Sequence, residues 1–196
     1  MIASKDTRKA LISSSAKLFN SQGYKATSLS EICSATGLSK GAIYSHFGSK
    51  EGLERAALKY MVNGFANQMA ELIRAEKDTR GKMLVILDFF AGYAVNPPFY
   101  GGCPMVNASV ELDDSDSELK AEVALATDLF HQSIQQIIDN GIKHGQVRST
   151  VDSSAFASVM FSATEGAIVL MKITGARKHL RDVVGFLKKE VETMLI

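Results

Sequence analysis

All three prolines of the chain, Pro97, Pro98 and Pro104, fall in one short window, residues 97–104. Proline fixes φ and lacks an N–H, so inside a helix it costs about 3 kcal/mol. The long stretches on either side of that window carry no such breaker, and neither shows a sustained apolar–polar alternation of the strand type. The chain therefore reads as all-α, with about nine helices and a Pro/Gly-rich interruption near its middle. No internal repeat or low-complexity tract argues otherwise.

Cap chemistry places the helices. "TRKALISSSAKLFNSQGY" has Leu11, Ile12, Ala16 and Phe19 at helical spacing and is closed by Gly23. "SLSE", Ser28 to Glu31, is a capping box, so a short helix runs from Ser28 to Thr36 and stops at Gly37. Ser39 caps a second short helix, Lys40 to Phe47, and Ser49 caps a long one starting at Lys50. Beyond Arg74 the expected spans are 79–95, 104–112, 116–144, 152–174 and 179–195. Ser115 to Glu118 is a second capping box, and Gly145 a natural C-cap. In the last two helices Phe156, Val159, Met160, Ala163, Ala167 and Leu170 form one apolar stripe. Val183, Val184, Leu187, Val191 and Met194 form another. Stripes this wide imply core on one side and a partner chain on the other.

Composition adds limits. Hydrophobic residues make up 46% and charged ones 22%, ordinary for a soluble globular protein. No apolar run approaches the roughly 20 residues of a membrane span, and the N-terminus has no apolar segment of the signal-peptide type. The expectation is a cytoplasmic protein without membrane association. The two cysteines, Cys33 and Cys103, give neither a disulfide framework nor metal-ligand spacing. The net charge of +1 hides an asymmetry: residues 1–55 carry eight Lys/Arg against four Asp/Glu, whereas the remainder is net acidic. A basic head on a mildly acidic body suits contact with a polyanion at one end.

A long helix followed by two short ones joined by a tight turn is helix-turn-helix architecture. In "SKGAIYSHFGSK", Ser39 offers a hydroxyl at a helix N-terminus, Lys40 a charge, and Gly41 a close backbone approach. Tyr44 and His46 reach toward phosphate or base edges, while Ile43 and Phe47 face the preceding helices. Ser39, Lys40, Gly41, Tyr44, His46 and Phe47, with Leu18, Phe19, Gly23, Tyr24, Thr27, Ser28, Ile32, Gly37, Leu38, Lys50, Glu51 and Leu53, make residues 8–55 resemble the tetracycline-repressor (TetR) family of bacterial transcription regulators.

The resemblance implies an N-terminal three-helix DNA-binding domain, residues 1–49, and a helical effector-binding and dimerisation domain, residues 50–196. It implies phosphate contacts from Thr27 and Ser28, a DNA-facing set of Ser39, Lys40, Gly41, Tyr44 and His46, and a backbone contact from Lys50. The implied partners are a palindromic operator in double-stranded DNA, a small-molecule effector, and a second copy of the chain bound through the last two helices. Cys33 sits where small residues are usual and reads as packing. "GGCPMVNASVEL" further resembles the Gly-Cys segment of a branch of the family, in which some members respond to electrophiles or oxidants through this cysteine.

The second half holds the candidate sensor. Phe89, Phe90, Tyr93, Phe130, Phe161 and Met171 are candidates to line an apolar effector cavity, with ordinary core packing as the alternative. Glu165 and Lys172, seven apart in an apolar run, mark a polar spot in that cavity or an interface contact, unless Lys172 simply reaches solvent. Cys103, before Pro104, reads as a helix N-cap, and the helix dipole there lowers a thiol pKa. Gly101 and Gly102 leave that sulfur unshielded. Packing cap and sensor thiol both remain open.

"ELDDSDSE" does not fit a calcium loop, because its turn position is Leu119 rather than glycine. His131 and His179 have no partner at useful spacing. No nucleophile–base pair, phosphate loop or metal-ligand cluster appears in the sequence, so no cofactor, no metal and no enzymatic activity are expected. The function implied is a ligand-responsive transcriptional repressor, released from its operator by a small molecule or electrophile. The alternatives are an architectural DNA binder without an effector, and a helical carrier or enzyme with a basic head.

Overall fold

The computed structural model describes residues 2–111 and 117–196. Among them the backbone forms nine helices: α1 (Ile2–Gln22), α2 (Leu29–Thr36), α3 (Lys40–Phe47), α4 (Lys50–Ala75), α5 (Thr79–Gly92), α6 (Pro104–Glu111), α7 (Ser117–Lys143), α8 (Ser153–Thr174) and α9 (Lys178–Met194). No strand forms among the described residues, only an isolated antiparallel bridge between Val147 and Leu195. The all-α expectation holds, with every expected helix present. The capping box expected from Ser115 and most of the acidic stretch "ELDDSDSE" lie outside the described residues.

One end differs by more than a residue or two. The helix expected to reach residue 95 stops at Gly92. Beyond it Tyr93, Ala94 and Val95 donate to the carbonyls of Phe90, Ala91 and Gly92, the tighter i→i+3 pattern. Asn96 precedes Pro97, and a residue before proline avoids the α region.

The chain divides into two compact units. The first comprises residues 1–64 and 99–126. Its core joins Leu11, Ala16 and Phe19 of α1, Ile32 of α2 and Ile43 of α3 to Leu53, Ala57, Leu58 and Met61 of α4. Ala108 of α6 with Leu119 and Val123 of α7 completes it, so this core extends well past residue 49.

Hydrogen bonds then fix α6 on the end of α1. Asn20, 4% exposed, donates from Nδ2 to the carbonyls of Tyr100 (2.8 Å) and Gly102 (2.9 Å). Asn107 Nδ2 lies 3.0 Å from the Asn20 carbonyl, from Asn20 Oδ1 and from the Gly101 carbonyl. Gly101 has φ +99°, and a Cβ there would lie 2.2 Å from the Asn20 carbonyl oxygen. Glycine is required on both counts.

The second unit comprises residues 65–98 and 127–196. α5 and α8 pack on α9, which buries Leu180, Val184, Leu187, Val191 and Met194. Their alternating four- and three-residue spacing is that of a helix presenting one continuous seam to its neighbours. Arg80 of α5 grips Glu192 of α9 through two hydrogen bonds, 3.0 and 2.6 Å.

α8 is two-sided. Ala157, Met160, Thr164, Glu165, Ala167 and Ile168 are buried, while Val159, Leu170 and Ile173 stay exposed. Of the stripe read from the sequence, Met160 and Ala167 therefore serve the core and Val159 and Leu170 do not. By length and composition α8 is also long and apolar enough to cross a membrane, although no uninterrupted apolar run in it approaches that length. Ser, Thr and Gly break every uninterrupted apolar run in Ser153–Thr174, yet the helix as a whole is apolar enough. Glu165 lies within it, buried in protein.

Candidate nucleic-acid interface

Local cap chemistry builds the helix pair. Glu31 N–H donates to Ser28 Oγ (3.2 Å) and Ser28 N–H donates to Glu31 Oε2 (2.7 Å), a complete capping box. These bonds, the Ser28 backbone N–H foremost, hold the Glu31 carboxyl below its ordinary pKa. α2 ends at Gly37, whose φ of +70° places it in the left-handed region and whose N–H donates to the Cys33 carbonyl. Ser39 Oγ then accepts from Ala42 N–H (3.3 Å) and starts α3.

The next turn brings α3 and α4 very close. A Cβ on Gly52 would stand 2.1 Å from the Phe47 carbonyl oxygen. Sequence reasoning passed over this glycine because it lies inside a helix, where it normally costs about 1 kcal/mol relative to alanine.

α3 is anchored on one side and open on the other. Ile43 is fully buried and Phe47 packs on the same core, as expected from the sequence. Arg8 of α1 places its guanidinium 5.2 Å from the Phe47 ring centre, a cation–π contact that the linear sequence does not reveal. Tyr44 is 52% exposed, and Ser39, Lys40 and Gly41 are exposed with it. His46 is half-buried, its ring 6.1 Å from that of Phe47. Lys9, Lys17 and Lys25 are also exposed.

Two expected phosphate contacts take different places. Thr27 is fully buried: its hydroxyl donates to the Gly23 carbonyl (2.6 Å), and its own N–H donates to the same oxygen (3.2 Å). Both donors are used in closing the loop, so Thr27 positions Ser28 rather than facing outward. Lys50 Nζ donates to the Tyr24 carbonyl (2.7 Å) and pairs with Glu54 at 3.3 Å. Lys50 thereby ties α4 to the loop before α2.

Tyr24 itself stacks on Phe19, ring centres 5.1 Å apart, and its buried hydroxyl has no hydrogen-bond partner among the described residues. Burial, and then the Glu54 and Glu111 carboxylates, push its pKa far up. Glu111 also accepts from Lys25 N–H (3.0 Å), a second link from α6 to this loop.

The candidate sensor residues fall into two sets. Cys103 is the N-cap of α6, its carbonyl accepting the first helical bond from Asn107 N–H (3.0 Å). The expectation of an unshielded sulfur is corrected, because Cys103 is only 2% exposed. Gly101 and Gly102 serve backbone geometry instead, both with positive φ. Cys33 packs, partly buried, on the core of the same unit.

In the second unit the structure brings Phe89, Phe90, Tyr93, Phe130 and Phe161 together, joined by Phe65. Phe130 lies 5.2 Å from Phe65 and 5.3 Å from Phe161, and Phe89 lies 6.0 Å from Tyr93. Glu165 is buried but Lys172 is exposed. Seven residues span about 10 Å of helix axis, long enough for burial to change along one face. His131, for which sequence spacing offers no partner, lies 2.9 Å from Ser158 Oγ and 3.1 Å from the Ser154 carbonyl of α8.

Comparison with known proteins places this geometry. Residues 11–57 match the bacterial regulatory proteins of the tetR family, and residues 80–187 match the tetracyclin repressor-like C-terminal domain. A TetR transcriptional regulator from Chloroflexus aurantiacus J-10-FL, solved as a crystal structure, superimposes with a TM-score of 0.94. It is 33% identical, and the match covers 100% of this chain and 98% of that one. The HTH-type transcriptional repressor ComR of Escherichia coli K12 is 28% identical over 187 residues, 88% of each chain. The repressor DhaR of Mycobacterium sp. strain GP1 is 25% identical, covering 88% of this chain and 86% of its own. Head and body each match their counterparts, and the chain belongs to the TetR family of bacterial transcriptional regulators.

Proposed function

We propose that this chain is a ligand-responsive repressor that binds a palindromic operator as a homodimer. Residues 1–49 serve as the DNA-binding domain and residues 50–196 as the effector-binding and dimerisation domain. The observation that carries the reading is α3: Ile43 is fully buried while Tyr44 is 52% exposed beside Ser39, Lys40 and Gly41. A helix so anchored presents its N-terminal side chains to a major groove, with its dipole favouring nearby phosphate. Ser28 and His46 flank that set. Thr27 and Lys50 hold the loop beneath it.

One short helix reads few bases, so specificity requires two heads on one duplex. The exposed apolar side chains of α8 and α9, Val159, Leu170, Ile173 and Phe186, supply a surface for the second copy. Repression accords with the names of the relatives ComR and DhaR. Family members are regulators rather than enzymes, and we read this chain, with no catalytic constellation in its sequence, as a cytoplasmic non-enzyme. An apolar effector would enter the ring cluster of Phe89, Tyr93, Phe130 and Phe161, near the buried α8 residue Glu165. By binding one head spacing better than the other, it would shift the dimer away from the spacing that matches successive grooves. Cys103 caps α6 on the end of α1 and is 2% exposed, so an electrophile would act through it only when that segment opens. Footprinting on a duplex selected from a random pool tests the reading. Two symmetric protected half-sites about one helical turn apart are expected; a single asymmetric footprint overturns it.

A further inference from the structure

The second unit also carries an open cleft of about 490 Å³ that none of the sequence-derived residues line. One wall is a stripe of α7 and the turn after it, Gln132, Gln136, Asn140 and His144, spaced by four and so stacked on one face. Facing it are Lys77 and Lys82, one before α5 and one in its first turn. Ile73 and Ile137 give it apolar surface. Among the described residues the lining contains two lysines and a histidine but no carboxylate. Of the acids flanking Lys77 in sequence, Asp78 caps Gly81 N–H (2.7 Å) and the Glu76 carboxyl lies against Gly81.

The rim is held in place. Gln146 Oε1 accepts from both Thr79 N–H (2.9 Å) and Thr79 Oγ1 (2.7 Å), fastening the start of α5 to the end of α7. Gly141 permits the approach, since a Cβ there would stand 2.6 Å from Thr79 Oγ1 and from Val147. Two ammonium groups in one cleft without a carboxylate favour an anion. The side-chain amides donate and accept, which suits hydroxyls and carboxylates alike, and the volume lies in the range of small-ligand sites.

We propose that this cleft binds a small organic polyanion, a phosphate ester or a polycarboxylate, at a site separate from the aromatic cluster. Such a ligand would bridge α4, α5 and α7 and stabilise the second unit by mass action. The inference goes beyond the operator-binding reading and does not require it, since its readout needs no DNA.

The test is a titration of the full-length protein, labelled at isoleucine methyls, with citrate, with glucose 6-phosphate and with neutral glucose. Saturable shifts of the Ile73 and Ile137 signals with at least one anion, and none with glucose, are expected. The double variant K77Q/K82Q should weaken that binding by at least about tenfold, with its melting temperature unchanged. Citrate alone or glucose 6-phosphate alone would identify which anion class the cleft takes. The proposal is overturned if neither anion saturates by about 10 mM, or if K77Q/K82Q binds within about twofold of the parent. It is equally overturned if the only signal to move is Ile43, which would place the anion on α3.

Discussion

Asn20→Ala should be among the more damaging single substitutions in the first unit, although Asn20 faces no DNA and fills little volume. Its amide donates to the Tyr100 and Gly102 carbonyls and its Oδ1 faces Asn107 Nδ2. The two lost donations cost about 1 kcal/mol each, Asn107 Nδ2 keeping the Asn20 and Gly101 carbonyls as acceptors, and leaving the Gly102 carbonyl without its donor adds about 1 kcal/mol. The total is about 3 kcal/mol, which for a chain of this size lowers Tm by about 6–12 °C. The chain has no tryptophan, so melting is followed by far-UV circular dichroism, at fixed protomer concentration because association shifts Tm. Asn20→Asp keeps the shape but sets an oxygen against two carbonyl oxygens, and should be at least as damaging. Ser13→Ala, which removes only an exposed hydroxyl bonded to its own helix, should stay within about 0.5 kcal/mol. Because the clamp holds the Gly101–Cys103 segment on α1, Asn20→Ala should also speed alkylation of Cys103 in a Cys33→Ser background. A Tm within about 2 °C of the parent, with unchanged alkylation, would refute the reasoning.

Three further substitutions test sign as well as size. Tyr24→Phe removes a buried hydroxyl with no hydrogen-bond partner among the described residues and should stabilise by about 1 kcal/mol in a denaturant melt. The Tyr24 pKa is raised from 10.0 in the fold, so stability is intact below about pH 10 and falls above it, where only the unfolded chain ionises; Tyr24→Phe should flatten that alkaline limb. Glu31→Gln bears on the acid limb. Its pKa is lowered from 4.5 by the Ser28 bonds, so its contribution is full above that value and is lost as pH falls through the folded pKa. The variant should melt with a shallower acid dependence than the parent. Gly52→Ala gains about 1 kcal/mol of helix propensity, but the Cβ meets the Phe47 carbonyl at 2.1 Å. A net loss of about 2 kcal/mol is expected, and a net gain would show that α3 and α4 approach less closely than described.

The helices and their caps were largely legible in the sequence because they rest on local chemistry. Ser28, Ser39, Gly37 and Gly145 act within a few residues of themselves, and the proline window isolates the one irregular segment. Roles set by distant partners were not legible. Thr27 looks like an exposed cap neighbour until Gly23 is seen to take both of its donors. Cys103 looks open between glycines until Asn20 and Asn107 fold the segment onto α1. Lys77 and Lys82 are unremarkable lysines in the chain, and only the stripe spaced by four on α7 gives them a shared purpose. Phe89, Tyr93, Phe130 and Phe161 were found because aromatic residues in an all-α chain have few places to go. Phe65, which completes their cluster, was missed because it lies in the middle of a long helix.

The central claim is that α3 reads DNA through its exposed side chains, and Tyr44→Ala tests it most directly. The measurement is fluorescence anisotropy of parent and variant on the selected operator over a series of salt concentrations. Tyr44 is half exposed, and Ile43 with Phe47 anchors α3 on the core, so the variant should keep its Tm and its dimer. Tyr44→Ala should lose at least about tenfold in operator affinity, while log K of both proteins falls steeply with log salt. Equal affinity of parent and Tyr44→Ala for the operator, with the fold of both intact, would contradict the claim.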